Sequence, residues 1–407
     1  MPADLAVLGL GQLGLPAAQA ATAAGIGTVC FTPDTRAAAA LNAGRPPASG
    51  ALAASELRRM LAAGFRAVSD PAVLGRARSA LICAPTPLGA DGAPDLGGVR
   101  EAATTLAPRL RPHTLVVLES AVCPGTTEDV VRPLLERGSG LRAGRDFHLA
   151  HAPGRLDPAD RAPGQPRVIG GLTPACTEAA AAFYGRLADR VVRARGVREA
   201  EAAKVLETNL RHVTTALVNE MAVLCHDLGV DVWDVVRCAE SRPSVPPAIR
   251  PGPGVGGHTV PMDPGRRLPL VELAKRINER MPRYVTRRAA ALLNEHGKAA
   301  RGARVLLLGV TYRPDQPDQE RAPAADVAAL LLALGADLSF HDPFAAEWRV
   351  ADRPVPRAES PYEAAAAADL TLLLQHHATY DLQGLAAKAQ LLLDTTGATP
   401  AGAAHRL

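Results

Sequence analysis

The chain has 407 residues, 47% of them apolar and only 3% aromatic, enough for two or three packed cores. A formal net charge of +4 with no basic run excludes nucleic acid as an expected partner. No stretch of about 18 uncharged apolar residues occurs, so no membrane span is expected. The opening MPADLAVLGLGQLGLP lacks the basic n-region of a signal peptide. Six cysteines are scattered without CxxC or zinc spacing, which predicts reduced thiols in the cytoplasm and no metal site.

Residues 5–10, LAVLGL, form a short apolar run that meets GLGQLG and then the alanine-rich PAAQAATAAG. This is the pattern of strand, tight turn and helix. A second strand follows at TVCFT (28–32). Apolar runs at ALICAP (80–85) and TLVVLES (114–120) then alternate with helical stretches. The alternation predicts a parallel, doubly wound sheet. Between Glu199 and Glu240 glycine and proline nearly vanish, which predicts a long helix, a break near Gly229 and a second helix. A Pro/Gly-rich segment, 243–265, interrupts this region, and another helical stretch runs to about Lys298. A second α/β set follows: ARVLLLGV (303–310), a helix at 324–334, DLSFHDP (337–343), LTLLLQ (370–375) and AQLLLDTT (389–396). The expected fold is α/β. Two Rossmann-like, doubly wound regions, 1–195 and 299–407, flank a helical region, 196–298.

Gly9, Gly11 and Gly14, spaced by Leu10, Gln12 and Leu13, fit GxGxxG between a strand and a helix. The first glycine permits the turn, the second admits a pyrophosphate, and the third allows close helix–strand packing. The alternative is a glycine-rich turn in an ordinary α/β unit. The acidic ribose ligand is expected about 20 residues on. Either Asp34 takes the 2′-hydroxyl, as NAD requires, or Thr32 and Arg36 tolerate the 2′-phosphate of NADP.

Several longer segments, in order, resemble the UDP-glucose/GDP-mannose dehydrogenases almost end to end. GLGQLGLP looks like their cofactor turn. CAPTPLGADGAPDL (83–96) and LESAVCPGTT (118–127) look like their next two strand-end loops. AAKVLETNLRHVTTALVNEMAVLCHDLGVDVWDVV (202–236) looks like the central helix. PGPGVGGHTVPMDP (251–264) looks like the catalytic loop, and GVTYRPDQPD (309–318) like the start of the third domain. The resemblance implies an NAD-binding Rossmann domain, a helical region that forms a homodimer, and a C-terminal Rossmann-like domain over a nucleotide-sugar substrate. It places Pro85, Thr86, Glu119 and Ser120 beside the cofactor. Asn209, Arg211, Gly254, Gly256, Gly257, His258 and Arg313 fall beside the substrate.

The same resemblance exposes departures. Typical members oxidise an alcohol twice, holding the intermediate on a loop cysteine and hydrolysing a thioester. Here the cysteine position is Thr259, the water-holding threonine falls at Ala121, and a glutamate falls at Gly154. The helix asparagine falls at Thr208, with Asn209 displaced by one, and a phosphate-side arginine falls at Glu320, with Arg321 displaced by one. A threonine hydroxyl without an adjacent base is a poor nucleophile. Lys204 remains, although lysine occurs only four times, and so does Asp263. Lys204 either stabilises an alkoxide and relays its proton, or is a solvated helix lysine. Asp263 either serves as base or orients Lys204, or caps a turn before Pro264. Thr259 either hydrogen-bonds the reacting hydroxyl or fills space, and His258 takes part in chemistry or packs the loop. The surviving set matches one two-electron oxidation, natural for a secondary alcohol such as that of the GDP-linked octoses in lincosamide antibiotic biosynthesis. The other outcomes are a non-catalytic nucleotide-sugar-binding protein and a four-electron oxidation to a uronic acid.

Overall fold

Strand formation follows the apolar runs. The computed structural model describes residues 4–47, 51–87, 89, 94–154, 165–242, 249–256 and 268–407. The described chain falls into two units, which meet in sequence at Thr208 and Asn209.

The first unit is built on eight strands: β1 (Leu5–Leu8), β2 (Thr28–Phe31), β3 (Arg66–Val68), β4 (Ser79–Ile82), β5 (Leu115–Leu118), β6 (His148–His151), β7 (Arg167–Gly171) and β8 (Val191–Arg193). Their order is β3-β2-β1-β4-β5-β6-β7-β8. All pairings are parallel except β6 with β7. Successive residues of β1 face opposite sides. Leu5 and Val7 join one core cluster and Ala6 and Leu8 another, so both sheet faces are covered. The strand order reverses between β1 and β4, where the ends of β1, β4 and β5 open a crevice. Helix α1 (Gly14–Ala23) rises from this edge, and α2 (Thr35–Asn42) follows β2.

Helix α3 (Val197–Asp227) is one continuous run of 31 residues. It ends at Gly229, whose φ of +68° is the left-handed stop that glycine supplies, with Val230 N–H donating to the Cys225 carbonyl at 2.8 Å. Asp231 then caps α4 (Val232–Glu240) by accepting from Trp233 N–H at 2.8 Å. The third long helix, α5 (Pro269–Glu295), carries Pro282 in its interior.

The second sheet has β9 (Arg304–Leu308), β10 (Asp337–His341), β13 (Leu370–Leu373), β14 (Leu392–Asp394) and β15 (His405–Arg406) in the order β10-β9-β13-β14-β15. A separate hairpin pairs β11 (Arg349–Val350) with β12 (Arg353–Pro354). Val305 and Leu307 of β9 share one core cluster with Val218, Ala222, Val232, Val285 and Leu292 of the helices. From Asn209 on, the helices belong to the same unit as the second sheet, while α3 up to Thr208 belongs to the first.

Candidate active site

The dinucleotide turn has the space a pyrophosphate needs. Gly9 has φ +115°, and a Cβ there would lie 2.7 Å from the Cys83 carbonyl oxygen. A Cβ on Gly14 would lie 2.0 Å from the Gly9 oxygen, whereas one on Gly11 would meet nothing within 4 Å. Glycine is thus forced at the two ends by packing, and the middle stays open. The N-terminus of α1 has no side-chain cap, because its N-cap is Leu13. Its positive end is available to a phosphate. These residues fit NAD.

At the tip of β2, the Thr32 hydroxyl accepts from Asp34 N–H at 3.2 Å. Asp34 caps α2 through Oδ1 alone, accepting from Arg36 N–H at 2.8 Å and Ala37 N–H at 3.1 Å. The second carboxylate oxygen is left for a ribose hydroxyl. Arg36 is exposed in the first turn of α2.

Thr86 donates to the Ala121 carbonyl at 2.7 Å, and Ser120 donates to the Ala84 carbonyl at 2.7 Å. Both hydroxyls tie the two strand-end loops to each other, and Pro85 beside them is exposed. Glu119 is buried. Its Oε1 accepts from Arg167 at 2.6 Å and from the Tyr184 hydroxyl, and the Cys83 thiol lies 3.8 Å from Oε2. The Glu119 carboxylate neutralises a buried guanidinium. Arg167 also donates to the Ala152 carbonyl at 3.2 Å and stacks 4.8 Å from the centre of the Tyr184 ring. Burial and then Glu119 hold the Tyr184 phenol well above its usual range. Burial, then the Arg167 charge, push the neighbouring His151 down to about 3. Arg167, Tyr184 and His151 were not foreseen; the one available signal was an arginine opening the apolar strand RVIGG.

Gly154 is no simple gap. A Cβ there would lie 2.3 Å from a Leu13 methyl and 2.9 Å from the Glu119 carbonyl oxygen. Leu13 fills the room in which the side chain of a glutamate would start.

Along the first half of α3 five polar side chains are buried beside Val197, Ala200 and Val205: Glu201, Lys204, Thr208, Asn209 and His212. The spacing of three and four residues puts them on one helical face. Glu201 clamps the helix to the CPGTT loop, accepting from Gly125 N–H at 2.6 Å, Thr127 N–H at 2.8 Å and the Thr127 hydroxyl at 2.7 Å. Burial raises its carboxyl against those bonds. Lys204 is buried and pairs with Glu207 at 2.7 Å. Its burial overturns the solvated-lysine alternative. Arg211 is exposed, whereas His212 beside it is buried.

In the second unit, Asn219 accepts from Gly252 N–H at 3.0 Å and donates to Asn278 at 2.9 Å, anchoring the start of the loop to two helices. A Cβ on Gly256 would lie 2.0 Å from the Arg321 carbonyl oxygen, and one on Gly254 (φ +143°) 3.1 Å from Pro323. Close packing on residues 321–323 is one reason these two positions are glycine. Arg313 is buried, its Nε 3.7 Å from Asp318, rather than held out as a free cation. Gly257, His258, Thr259 and Asp263 lie outside the described residues. Among the described residues no group of three His, Cys, Asp or Glu side chains could hold a metal, and no helix is long and apolar enough to cross a membrane.

Comparison with known proteins agrees with this geometry. Residues 3–188 match the NAD binding domain of the UDP-glucose/GDP-mannose dehydrogenase family, residues 198–288 its central domain, and residues 306–400 its UDP binding domain. The UDP-N-acetyl-D-mannosamine dehydrogenase of Pyrococcus horikoshii is 33% identical over 355 residues, covering 84% of this chain and 83% of that protein. The enzyme of the same name from Escherichia coli is 30% identical over 354 residues, covering 81% and 82%. The solved structure of the Pyrococcus horikoshii enzyme superposes with a TM-score of 0.84 at 28% identity, covering 98% of this chain and 97% of that one. The UDP-N-acetyl-mannosamine dehydrogenase of Staphylococcus aureus gives 0.84 at 26% identity, covering 99% and 97%. The chain belongs to the UDP-glucose/GDP-mannose dehydrogenase family and is an NAD-dependent oxidoreductase acting on CH–OH.

Proposed function

We propose that this protein oxidises one alcohol of a nucleotide-activated sugar to a carbonyl and stops after a single two-electron step. The observation that carries the reading is the packing of Leu13 against Gly154, which leaves no room for the side chain that would serve a second stage. Two sequence facts agree. Residues 251–264 contain no cysteine, and Ala121 has no hydroxyl with which to hold a water. NAD, when bound, takes up the hydride. Gly9, Gly11, Gln12, Leu13 and Gly14 hold its pyrophosphate, and Asp34 takes its ribose hydroxyl. Lys204 meets the charge that develops on the substrate oxygen and receives its proton. Asp263 orients that exchange, and Thr259 hydrogen-bonds the hydroxyl. A secondary alcohol suits such an enzyme, since a ketone has no hydrogen for a further hydride transfer. A GDP-linked octose of an antibiotic pathway is one such substrate, handled in the cytoplasm.

The test is stoichiometric. Incubated with NAD and a panel of UDP- and GDP-linked sugars, the enzyme should form one NADH per sugar consumed and a product carrying a carbonyl. Two NADH and a uronic acid would overturn the reading. Binding without NADH across the panel would favour a sugar-binding role instead.

The reading includes a homodimer. Leu206, Leu210, Leu217 and Leu224 recur along one line of α3, with Leu228 just past its end, and all stay exposed, Leu206 at 68% and Leu217 at 58%. A continuous apolar seam on a helix suits a second copy of itself. Leu210→Asp/Leu217→Asp should halve the mass measured by light scattering after size exclusion, from that of a dimer. A wild-type mass of one chain would remove the proposal.

A further inference from the structure

We infer that Glu207 is the group through which Lys204 delivers the substrate proton to solvent; this rests on the role of Lys204 given above. The Lys204 side chain is 9% exposed and that of Glu207 48%, with Nζ and Oε1 2.7 Å apart. Among the described residues Glu207 is the ion-pair partner of this ammonium. An ammonium so enclosed needs a counter-charge. Little of it meets bulk water for the release of a proton gained in each turnover. Glu207 supplies both, with one face on the lysine and the other in solvent. The two stand three residues apart on α3, whose start is fixed by the Glu201 clamp, so their geometry does not depend on a loop.

The balance is simple. The alcohol C–H bond gives its electron pair, as hydride, to NAD. A Lys204 N–H proton passes first to the Glu207 carboxylate at Oε1, and the nitrogen lone pair so freed takes the proton of the breaking O–H bond. Glu207 then releases its proton to water. One alcohol and one NAD give one carbonyl, one NADH and one proton. No further oxidant is needed.

Glu207→Gln keeps the shape and can accept a hydrogen bond but cannot hold the proton. With the nucleotide sugar that yields NADH in the stoichiometric assay, kcat should fall about 10- to 100-fold while KM changes little. Small buffer bases such as imidazole should restore kcat in proportion to concentration in the variant and leave wild type unaffected. Glu207→Asp should restore most of the rate, because it can still take a proton. A second readout needs no substrate. With only four lysines in the chain, acetic anhydride labelling of Lys204 can be followed by mass spectrometry against Lys275, Lys298 and Lys388. Losing the counter-charge in Glu207→Gln should raise the labelling rate of Lys204 several-fold. An unchanged labelling rate, or an inactive Lys204→Ala beside a Glu207→Gln of wild-type rate and buffer response, would overturn the relay. An active Lys204→Ala would instead overturn the role of the lysine itself.

Discussion

Replacing Lys204 by methionine should lower kcat by about three orders of magnitude, with the melting temperature nearly unchanged. Methionine keeps the length and burial of the stem and removes only the charge and the exchangeable protons. General acid–base and electrostatic contributions of this kind amount to about 10²- to 10⁴-fold in rate. The fold should tolerate the change because the partner left behind, Glu207, is half in water and is not stranded in a core. The α3 backbone stays in place through Glu201, whose carboxylate holds Gly125 and Thr127. Thr259→Ala should cost far less, since the hydroxyl has no covalent task in a single oxidation. The measurement is NADH formation at saturating NAD for both variants, with thermal melts as control. Equal losses would mean that the threonine does the work assigned to the lysine. A Lys204→Met enzyme of wild-type rate would leave the buried ammonium without a role.

What was legible in the sequence was what is local. The turn at Gly9, Gly11 and Gly14 could be read because its chemistry lies within six residues and its flanking strand and helix are strongly patterned. Its one non-local cause, the Cys83 carbonyl beneath Gly9, only reinforces the choice. Lys204 could be singled out because lysine is rare here, and its burial agrees. The helix break at Gly229 was visible for the same local reason. What stayed hidden was decided at a distance. The side chains of Glu119, Ser120 and Thr86 pair with groups 35 to 65 residues away. Gly254 and Gly256 pack against Arg321 and Pro323, which the loop's own sequence does not announce. Arg211 and His212 differ by one step on a helix, about 100° of rotation, and only tertiary packing decides which is buried. The helical middle stands apart in composition and matches a family domain of its own, while Val305 and Leu307 pack on its helices. β6 begins and ends in histidine, β7 turns to glycine after three residues, and β8 has only three residues, so periodicity missed them.

The buried ion pair behind the crevice should control stability as the lysine controls rate. Arg167→Met is expected to destabilise the protein by about 3–5 kcal/mol, the range for removing one partner of a buried pair. The guanidinium and carboxylate are only 9% and 4% exposed, so water cannot compensate Glu119 once the cation is gone. The double variant Arg167→Met/Glu119→Gln should recover much of the loss, because a neutral amide can still accept from Tyr184. Urea denaturation of the wild type, both single variants and the double variant closes that cycle. Additive losses would mean that the two charges do not depend on each other.

The same corner sets an acid limit. The folded pKa of His151, near 3, lies below the roughly 6.5 of an unfolded histidine. Its contribution is therefore complete above about pH 6.5 and is lost as pH falls toward the folded value, at up to about 1.4 kcal/mol per pH unit. His341 and His226 are lowered as well, chiefly by burial, and share in the slope. The difference between wild type and His151→Phe isolates the one residue. That difference should narrow in an Arg167→Met background without vanishing, since the arginine charge is only the second cause of the shift and burial is the first. If His151→Phe left the slope between pH 6.5 and 5 unchanged, the proton would already be bound to His151 in the folded state. The charge beside Arg167 would then have to be balanced by a group other than Glu119.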